Sequence, residues 1–129
     1  MKQLEPSMMP FSRLMGLEVT SQEKELIVGK ISVREDLCTT GKIMHGGAIM
    51  AMADGLGAIG AYLNMPATAK ATTTIESKTN FLRAAPLNSV VIGECRPLHT
   101  GRTTSVWQTT LRNSQQKLIA IVTQTQLVL

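Results

Sequence analysis

The sequence predicts an α+β fold in which one long helix packs against one antiparallel sheet. Three features of the 129-residue chain support this prediction. All eight methionines lie between Met1 and Met65, five of the ten glycines lie between Gly46 and Gly60, and twelve of the fifteen threonines lie from Thr68 onward. The first half is therefore apolar and rich in glycine, whereas the second half is rich in a residue that favours strands.

The first half is expected to fold into four segments. In chain order these are a helical turn, two strands, a polar loop and a long helix, at residues 11–17, 18–33, 34–44 and 45–63. Gly16 suits the end of the helical turn, and the polar run at residues 21–24 suits the tip of a hairpin. Asn64-Met65-Pro66 ends the long helix, because proline cannot continue it.

The second half is expected to supply the sheet. Four strands joined by short turns are predicted at residues 70–82, 90–98, 103–112 and 117–129. Short turns make consecutive strands antiparallel neighbours. We interpret residues 1–129 as one domain, in which residues 1–17 form a short N-terminal helical segment. One helix and one sheet leave strand edges and a sheet face uncovered, so we expect self-association.

Composition and charge argue against nucleic-acid binding and secretion. Aromatic residues make up 3% of the chain, and its net charge of +4 is scattered without a run of lysine or arginine. Neither serial base stacking nor a basic footprint is therefore supported. Residues 1–10 hold one lysine, one glutamate, two prolines and no apolar run, unlike a signal peptide. We expect a cytoplasmic protein in which Cys38 and Cys95 are reduced thiols.

The apolar stretch at residues 48–63 requires a comparison with membrane spans. It is 16 residues long, carries Asp54 near its middle and contains three glycines. A spanning helix needs about 20 apolar residues and rarely holds a carboxylate at its centre. We therefore predict a buried helix that other structure surrounds, and no membrane partner.

Asp54 is the first candidate for chemistry. Its neighbours one helical turn away are Met50, Ala51, Gly57 and Ala58, none of which is a cation. A carboxylate in such surroundings is costly unless it has polar partners or faces a polar cleft. It could be an exposed or capped polar contact, or it could be a general base or a nucleophile. The apolar surroundings favour a functional role.

His45-Gly46-Gly47 opens the same helix and forms a second candidate group. Glycines at a helix start leave backbone N–H groups unshielded, and the helix dipole adds positive potential there. Such a terminus can bind a phosphate or a developing oxyanion. The alternative is a turn that uses glycine for its dihedral angles and histidine as a cap.

The sequence spacing between Asp54 and His45 is too large for the two residues to meet within one chain. Asp54 follows His45 by nine residues. That interval is about 2.5 turns, or roughly 13 Å along the axis, and it places the two on opposite sides of the helix. If both serve one site, the site must lie between two copies of the chain, as a two-fold dimer allows.

Two further polar groups have open interpretations. Any of Thr72, Thr73 and Thr74 could orient a water molecule, or could reflect β-propensity alone. In the segment at residues 99–103 an arginine beside glycine and hydroxyls could bind phosphate, or could form a solvated hairpin tip. The two cysteines lack CxxC spacing and no HExxH motif is present, so no metal site is predicted.

Three segments of the sequence together resemble a known family. HGGAIMAMADGLGAIGAYL, NFLRAAP and HTGRT are similar to motifs of the hotdog-fold acyl-CoA thioesterases, in the phenylacetate-pathway (PaaI-like) subgroup of the 4-hydroxybenzoyl-CoA thioesterase superfamily. The resemblance covers about residues 18–129. It implies a curved antiparallel sheet wrapped around one long central helix, in homodimers that often pair again. It also implies hydrolysis of an acyl-CoA to coenzyme A and a carboxylic acid, with no separate cofactor because coenzyme A is part of the substrate.

The resemblance assigns roles to several residues. Asp54 would be the catalytic carboxylate, either as general base or as nucleophile. The N–H of Gly46 would polarise the thioester carbonyl from the other subunit, and His45 would help hold that loop. Thr74 is the best match to a hydroxyl residue that positions water, with Thr73 or Thr72 matching less well. The nucleotide part of coenzyme A would lie near the turn formed by Gly101, Arg102 and Thr103.

Thr39 departs from the family pattern. Many members carry Asn or Gln six residues before the histidine, where it helps orient water, and here that position holds Thr39. Threonine is shorter and lacks the paired donor and acceptor of an amide. An alternative function is therefore a hotdog module that binds acyl-CoA as a sensor without hydrolysing it.

Overall fold

The computed structural model describes residues 3–4 and 8–129. Within these residues the chain forms two α-helices, eight strands and a short 3₁₀ helix at Glu35–Leu37. The bounds, in chain order, are α1 (Pro10–Met15), β1 (Glu18–Glu23), β2 (Leu26–Ser32), β3 (Cys38–Thr39), β4 (Ile43–Met44), α2 (Gly46–Asn64), β5 (Thr72–Phe81), β6 (Val90–Thr100), β7 (Thr104–Arg112) and β8 (Leu118–Val128).

Six of the strands form one antiparallel sheet around α2. Their order is β1-β2-β6-β7-β8-β5, and β3 pairs with β4 in a separate small hairpin. Helix α2 contacts all six strands of the large sheet. Register shifts in β1, β5 and β6 mark bulges, which bend strands and increase their twist. The predicted class is confirmed: α+β, with one long central helix wrapped by a curved antiparallel sheet.

Helix α2 is the core of the molecule. Ten of its 19 residues are buried. Glycine allows close contact with the sheet, because a Cβ at Gly60 would lie 2.6 Å from the ring of Trp107. The indole of Trp107 is itself buried and donates to Ser105 Oγ at 2.9 Å. By length and composition alone α2 could cross a membrane, but the sheet surrounds it as expected of a core helix.

The first hairpin turns later than the sequence predicts. Strand β1 continues through Glu23, so the turn falls at residues 24–25 and not at residues 21–24. The side-chain amide of Asn64 donates to the carbonyl of Lys24 at 2.8 Å and to that of Gly60 at 2.9 Å. The turn is thereby tied to the end of α2, a long-range contact that local sequence does not reveal.

Strand β6 is two residues longer than predicted. His99 and Thr100 were expected in the turn, but they pair with Val106 and Ser105 of β7 beyond a register shift. The turn between β6 and β7 is therefore limited to residues 101–103. The predicted helical turn before Gly16 and the bounds of the four C-terminal strands are otherwise confirmed within two residues at their ends. The expectation that consecutive strands are neighbours is wrong for β5, which pairs with β8 and not with β6, because the eight residues between β5 and β6 are too many for a tight hairpin turn.

The short helix α1 is fixed by the loop at residues 34–44. Gly16 ends α1 with φ of 78°, a left-handed conformation that suits glycine. The guanidinium of Arg34 donates to the carbonyls of Leu14 and Met15, and its Nε lies 2.6 Å from Asp36 Oδ1. The loop thus satisfies carbonyls at the C-terminal end of α1, which a helix leaves without internal partners.

The two cysteines are free thiols, as predicted, and differ in their surroundings. Burial raises the pKa of the Cys95 thiol to about 11, because desolvation disfavours the thiolate. Cys95 therefore stays protonated at neutral pH, and only the thiolate is a good nucleophile. Cys38 is half-buried, and its thiol contacts the carbonyl of Arg34 at 3.5 Å.

We predict that a thiol reagent at pH 8 modifies one cysteine per native chain quickly, and the second only after unfolding. Cys38 is the accessible thiol, whereas Cys95 is fully shielded and protonated. Absorbance titration with and without denaturant measures both rates. The variant Cys38→Ser should show no fast phase, and a fast phase in this variant would contradict the prediction.

Candidate active site

Asp54 lies on α2 and accepts two hydrogen bonds through one oxygen. The hydroxyl of Thr74 donates to Asp54 Oδ1 at 2.7 Å, and Gln124 Nε2 donates to the same atom at 3.2 Å. Asp54 is half-buried. The carboxylate thus has polar partners although its own helix is apolar. These partners belong to β5 and β8, not to α2.

A third side chain fixes the direction of the Thr74 proton. Gln126 Nε2 donates to Thr74 Oγ1 at 2.6 Å. Because a hydroxyl has one proton, a hydroxyl that donates to Asp54 can only accept from Gln126. The structure therefore pairs Thr74 with the carboxylate itself. Its proton is not available to a water molecule in this arrangement.

Gln124 and Gln126 were missing from the sequence prediction. Both are buried, and they lie two residues apart on the face of β8 that points toward α2. Strand alternation gives the only available signal: in the segment 122–126 the inward positions hold a valine followed by two glutamines. Two consecutive amides at inward positions of a core strand are unusual and indicate a buried polar network.

The two carboxylate oxygens of Asp54 differ in their hydrogen bonding. Among the residues that the structure describes, none donates a hydrogen bond to Asp54 Oδ2. Asp54 also lines a largely apolar cleft of about 340 Å³ between α1 and α2, whose other wall includes Pro10, Phe11 and Ser12. A water molecule or the carbonyl of a substrate in this cleft would meet a carboxylate held in one orientation.

His45 caps α2 in the structure. Its side-chain Nδ1 accepts from the backbone N–H of Gly47 at 2.8 Å, and its backbone N–H donates to the carbonyl of Leu37 at 2.8 Å. The acceptor role leaves the imidazole proton on Nε2. His45 is therefore the cap of α2, as one of the two interpretations expects. Its backbone hydrogen bond to Leu37 also attaches the preceding loop to the helix start.

Gly46 is the first residue of α2, so its N–H has no acceptor within the helix. It lines a cleft of about 420 Å³ together with Thr39, Ile43 and Phe81. A Cβ at this position would lie 3.1 Å from the ring of Phe81, so a glycine lets the ring rest on the helix start. Thr39 thus lies in the same cleft as the candidate oxyanion donor.

The candidate residues therefore form two separate groups within one chain. Asp54, Thr74, Gln124 and Gln126 form the acid group, at the middle of α2. Gly46 and its cleft form the helix-start group, eight residues or about 12 Å along the helix. The two groups line different clefts, as the sequence spacing predicts.

The turn at residues 101–103 lies at the same end of the sheet as Thr74. The N–H of Val128 donates to the carbonyl of Thr103 at 2.8 Å, and Val128 pairs with Thr72, two residues before Thr74. Arg102 is exposed there. The hydrogen bonds of Asp54 come from Thr74 and Gln124 and not from this turn. Across residues 3–4 and 8–129, no group of three His, Cys, Asp or Glu residues could hold a metal ion.

Two relatives align with most of this chain. The mycobacterial protein Rv1847 of Mycobacterium tuberculosis is 26% identical over 113 residues, which are 86% of this chain and 80% of the relative. The proofreading thioesterase EntH of Klebsiella pneumoniae is 30% identical over 95 residues, 73% of this chain and 67% of the relative.

Solved structures share the fold. Rv1847 superposes with a TM-score of 0.88 at 23% identity, covering 93% of this chain and 96% of that one. The PaaI protein of E. coli superposes with a TM-score of 0.83 at 20% identity, covering 93% and 84%. The smu.793 protein of Streptococcus mutans, solved bound to acetyl CoA, gives 0.80 at 25% identity and covers 88% of each chain.

The family model that matches is that of the thioesterase superfamily, over residues 41–120. This span is more than half of the chain. It includes the helix-start motif, all of α2 with Asp54, and strands β5 to β7. The family expected from the sequence motifs is confirmed: the chain belongs to the thioesterase superfamily, has the hotdog fold and is a thioester hydrolase.

Proposed function

We propose that this protein hydrolyses acyl-CoA thioesters to coenzyme A and a carboxylic acid. The observation that carries the proposal is Asp54, whose Oδ1 accepts hydrogen bonds from two donors and whose side chain lines an apolar cleft. The names of two relatives support the substrate class: EntH is a thioesterase, and an Arabidopsis relative at 25% identity is a 1,4-dihydroxy-2-naphthoyl-CoA thioesterase. The acetyl CoA bound to smu.793 supports it further.

Asp54 activates the attack on the thioester carbon. As a general base, Oδ2 takes a proton from water while the water oxygen bonds to the carbonyl carbon. The C–S bond then breaks, and the thiolate of coenzyme A takes the proton from Asp54. As a nucleophile, Oδ2 bonds to the carbonyl carbon itself, and the C–S bond breaks to release the thiolate of coenzyme A. Water then hydrolyses the resulting anhydride to the carboxylic acid and the free Asp54 carboxylate. Both routes place negative charge on the carbonyl oxygen, which needs a donor.

Gly46 of a partner subunit supplies that donor. Its N–H has no acceptor within the helix and lies at the positive end of the dipole of α2. Within one chain the two groups line different clefts, so the reaction needs the acid group of one subunit and the helix start of another. This requirement supports a homodimer with two shared sites.

Strand β5 is the surface that pairs two subunits. It is an edge strand, since it pairs with β8 alone in the large sheet. Large apolar side chains within β5 and directly after it are more than half exposed: Ile75, Phe81 and Leu82. If the β5 strands of two subunits pair about a two-fold axis that passes between Ser77 and Lys78, Thr74 of one subunit lies opposite the partner's Phe81. Thr74 contacts Asp54 in its own chain, and Phe81 covers Gly46 in its own chain. Dimers of dimers could then pair through further sheet surface.

The remaining parts of the proposal concern the coenzyme and the compartment. Arg102 is exposed in a turn that also holds Gly101 and Thr103, so it can meet the phosphates of coenzyme A. No separate cofactor is required, because coenzyme A is part of the substrate. Two free thiols fit a reducing cytoplasm, where acyl-CoA substrates are available.

The test is release of coenzyme A across a panel of short, long and aromatic acyl-CoA thioesters. A thiol reagent detects the product, and the variant Cys38→Ser removes the accessible protein thiol from the background. Turnover that rises with enzyme concentration would support the proposal and reveal the preferred acyl group. Saturable binding by calorimetry with no thiol release would instead support the acyl-CoA sensor.

A further inference from the structure

Gln124 is a buried amide with one oxygen that has no partner. Its side chain is fully shielded, and its Nε2 donates to Asp54 Oδ1 at 3.2 Å. Its Oε1 is buried and accepts no hydrogen bond from any residue in the described part of the chain. An unsatisfied buried acceptor destabilises the folded state. Packing alone would therefore favour an apolar side chain of this shape.

Gly57 creates the space that Gln124 occupies. A Cβ on Gly57 would lie 2.3 Å from both the amide carbon and the Oε1 of Gln124. Such a contact is far inside van der Waals distance, and the amide is enclosed, so no residue larger than glycine fits without displacing it. Gly57 lies three residues after Asp54, on the adjacent turn of α2. The amide thus lies flat on the helix, directly beside the carboxylate.

The second donor changes what the carboxylate can do. Rotation of an Asp side chain about its last torsion is soft, so a single hydrogen bond from Thr74 leaves the two oxygens free to tilt. A second bond from β8 to the same Oδ1 fixes the carboxylate plane between two strands. Oδ2 then keeps one direction, as an attacking or proton-accepting atom requires.

We propose that Gly57 and Gln124 act together as a positioning pair for Asp54. The inference deepens the proposed function and rests on it. Gln124 does not touch the reacting atoms; it holds the residue that does. The buried amide lowers the stability of the fold while it fixes the carboxylate. Removal of the amide should therefore lower turnover without lowering stability.

The first experiment replaces the amide with an apolar side chain of similar length. For Gln124→Met we expect kcat to fall about tenfold, as for a lost hydrogen bond to a charged group, with KM little changed. Because the unsatisfied oxygen is removed, Tm should stay the same or rise. The control Gln108→Met, on the neighbouring strand β7, removes an amide that donates a hydrogen bond to Thr123 and should leave kcat unchanged. A lower Tm with unchanged kcat would overturn the inference.

The second experiment tests the pair as a unit. Gly57→Ala should lower both Tm and kcat, because the new methyl group displaces the amide. Adding Gln124→Ala removes the overlap, so the double variant should regain Tm relative to Gly57→Ala while kcat stays low. Wild-type kcat in folded Gly57→Ala would overturn the inference.

A third measurement does not depend on turnover. In protein labelled with ¹³C, the carboxyl resonance of Asp54 at one fixed pH should move in Gln124→Met and stay in place in Gln108→Met. An unmoved resonance in Gln124→Met overturns the positioning pair. Wild-type protein that releases no coenzyme A from any acyl-CoA overturns the proposed function instead, and the two failures are therefore distinct.

Discussion

Replacement of Asp54 with Asn should lower kcat for acyl-CoA hydrolysis by at least about a hundredfold, as expected for loss of a general base or nucleophile. Asn is the sharpest substitution because its carbonyl oxygen can still accept from both Thr74 and Gln124 at the position of Oδ1. Only the free oxygen is exchanged, for an amide nitrogen that can neither take a proton nor attack. Steady-state thiol release, with Tm as the measure of folding, checks the result.

The matched control is a carboxylate at the surface. Glu94 on β6 makes an ion pair with Arg96 at 3.4 Å, outside both clefts, so Glu94→Gln should leave kcat unchanged. A folded Asp54→Asn protein that retains more than about a tenth of wild-type kcat would remove Asp54 from the chemistry.

Mixing two inactive variants should restore activity. Asp54→Ala chains lack the acid, and Gly46→Pro chains lack the helix-start N–H. In a mixed dimer one site combines the intact Asp54 of one chain with the intact Gly46 of the other. Random exchange makes half of the dimers mixed, each with one working site of two, so we expect about a quarter of wild-type activity. Thiol release after co-refolding measures the recovery.

Gly46→Pro is suited to this test by its local structure. Proline is favoured at the first position of a helix, and the residue before it must be extended. His45 has φ of −61° and ψ of 136°, which meets this condition. Gly46→Ala is the matched control, since it adds a similar Cβ against Phe81 but retains the N–H. It should keep most of the activity that Gly46→Pro loses.

Three outcomes of the mixing experiment would contradict the shared site. Full activity in Gly46→Pro alone would show that its N–H is not used. Equal losses in Gly46→Ala and Gly46→Pro would assign the effect to crowding against Phe81. Mixed dimers that are verified by mass spectrometry, are folded and yet remain inactive would place each complete site within one chain.

The sequence was sufficient to predict the central helix and to identify Asp54 as a carboxylate in apolar surroundings. An apolar run with one carboxylate and no cation one turn away is a strong local signal, and the nine-residue spacing from His45 needs only helix geometry. Short turns also make β1 and β2, and likewise β6, β7 and β8, antiparallel neighbours, but they do not place β5 beside β8. These features depend on contacts close in sequence.

The partners of Asp54 could not be predicted in the same way. Gln124 is 70 residues away in sequence, so its contact with Asp54 depends on which strand lies beside β5 and in which register. The bulge between Thr74 and Glu76 also could not be predicted, and it changes which side chains of β5 face inward. Simple alternation would place Thr74, Glu76 and Lys78 on one face, whereas the structure turns Ser77 and Thr79 inward after the bulge.

Strand β5 holds Thr74 beside the acid near its beginning and Phe81 over Gly46 at its end. One residue gained or lost between these positions would turn one of the two side chains to the opposite face of the sheet. Substitutions within the strand leave this spacing intact, but insertions and deletions do not. Changes of chain length should therefore be tolerated in the turn at residues 113–117, and should abolish activity between residues 74 and 81 even where the fold survives.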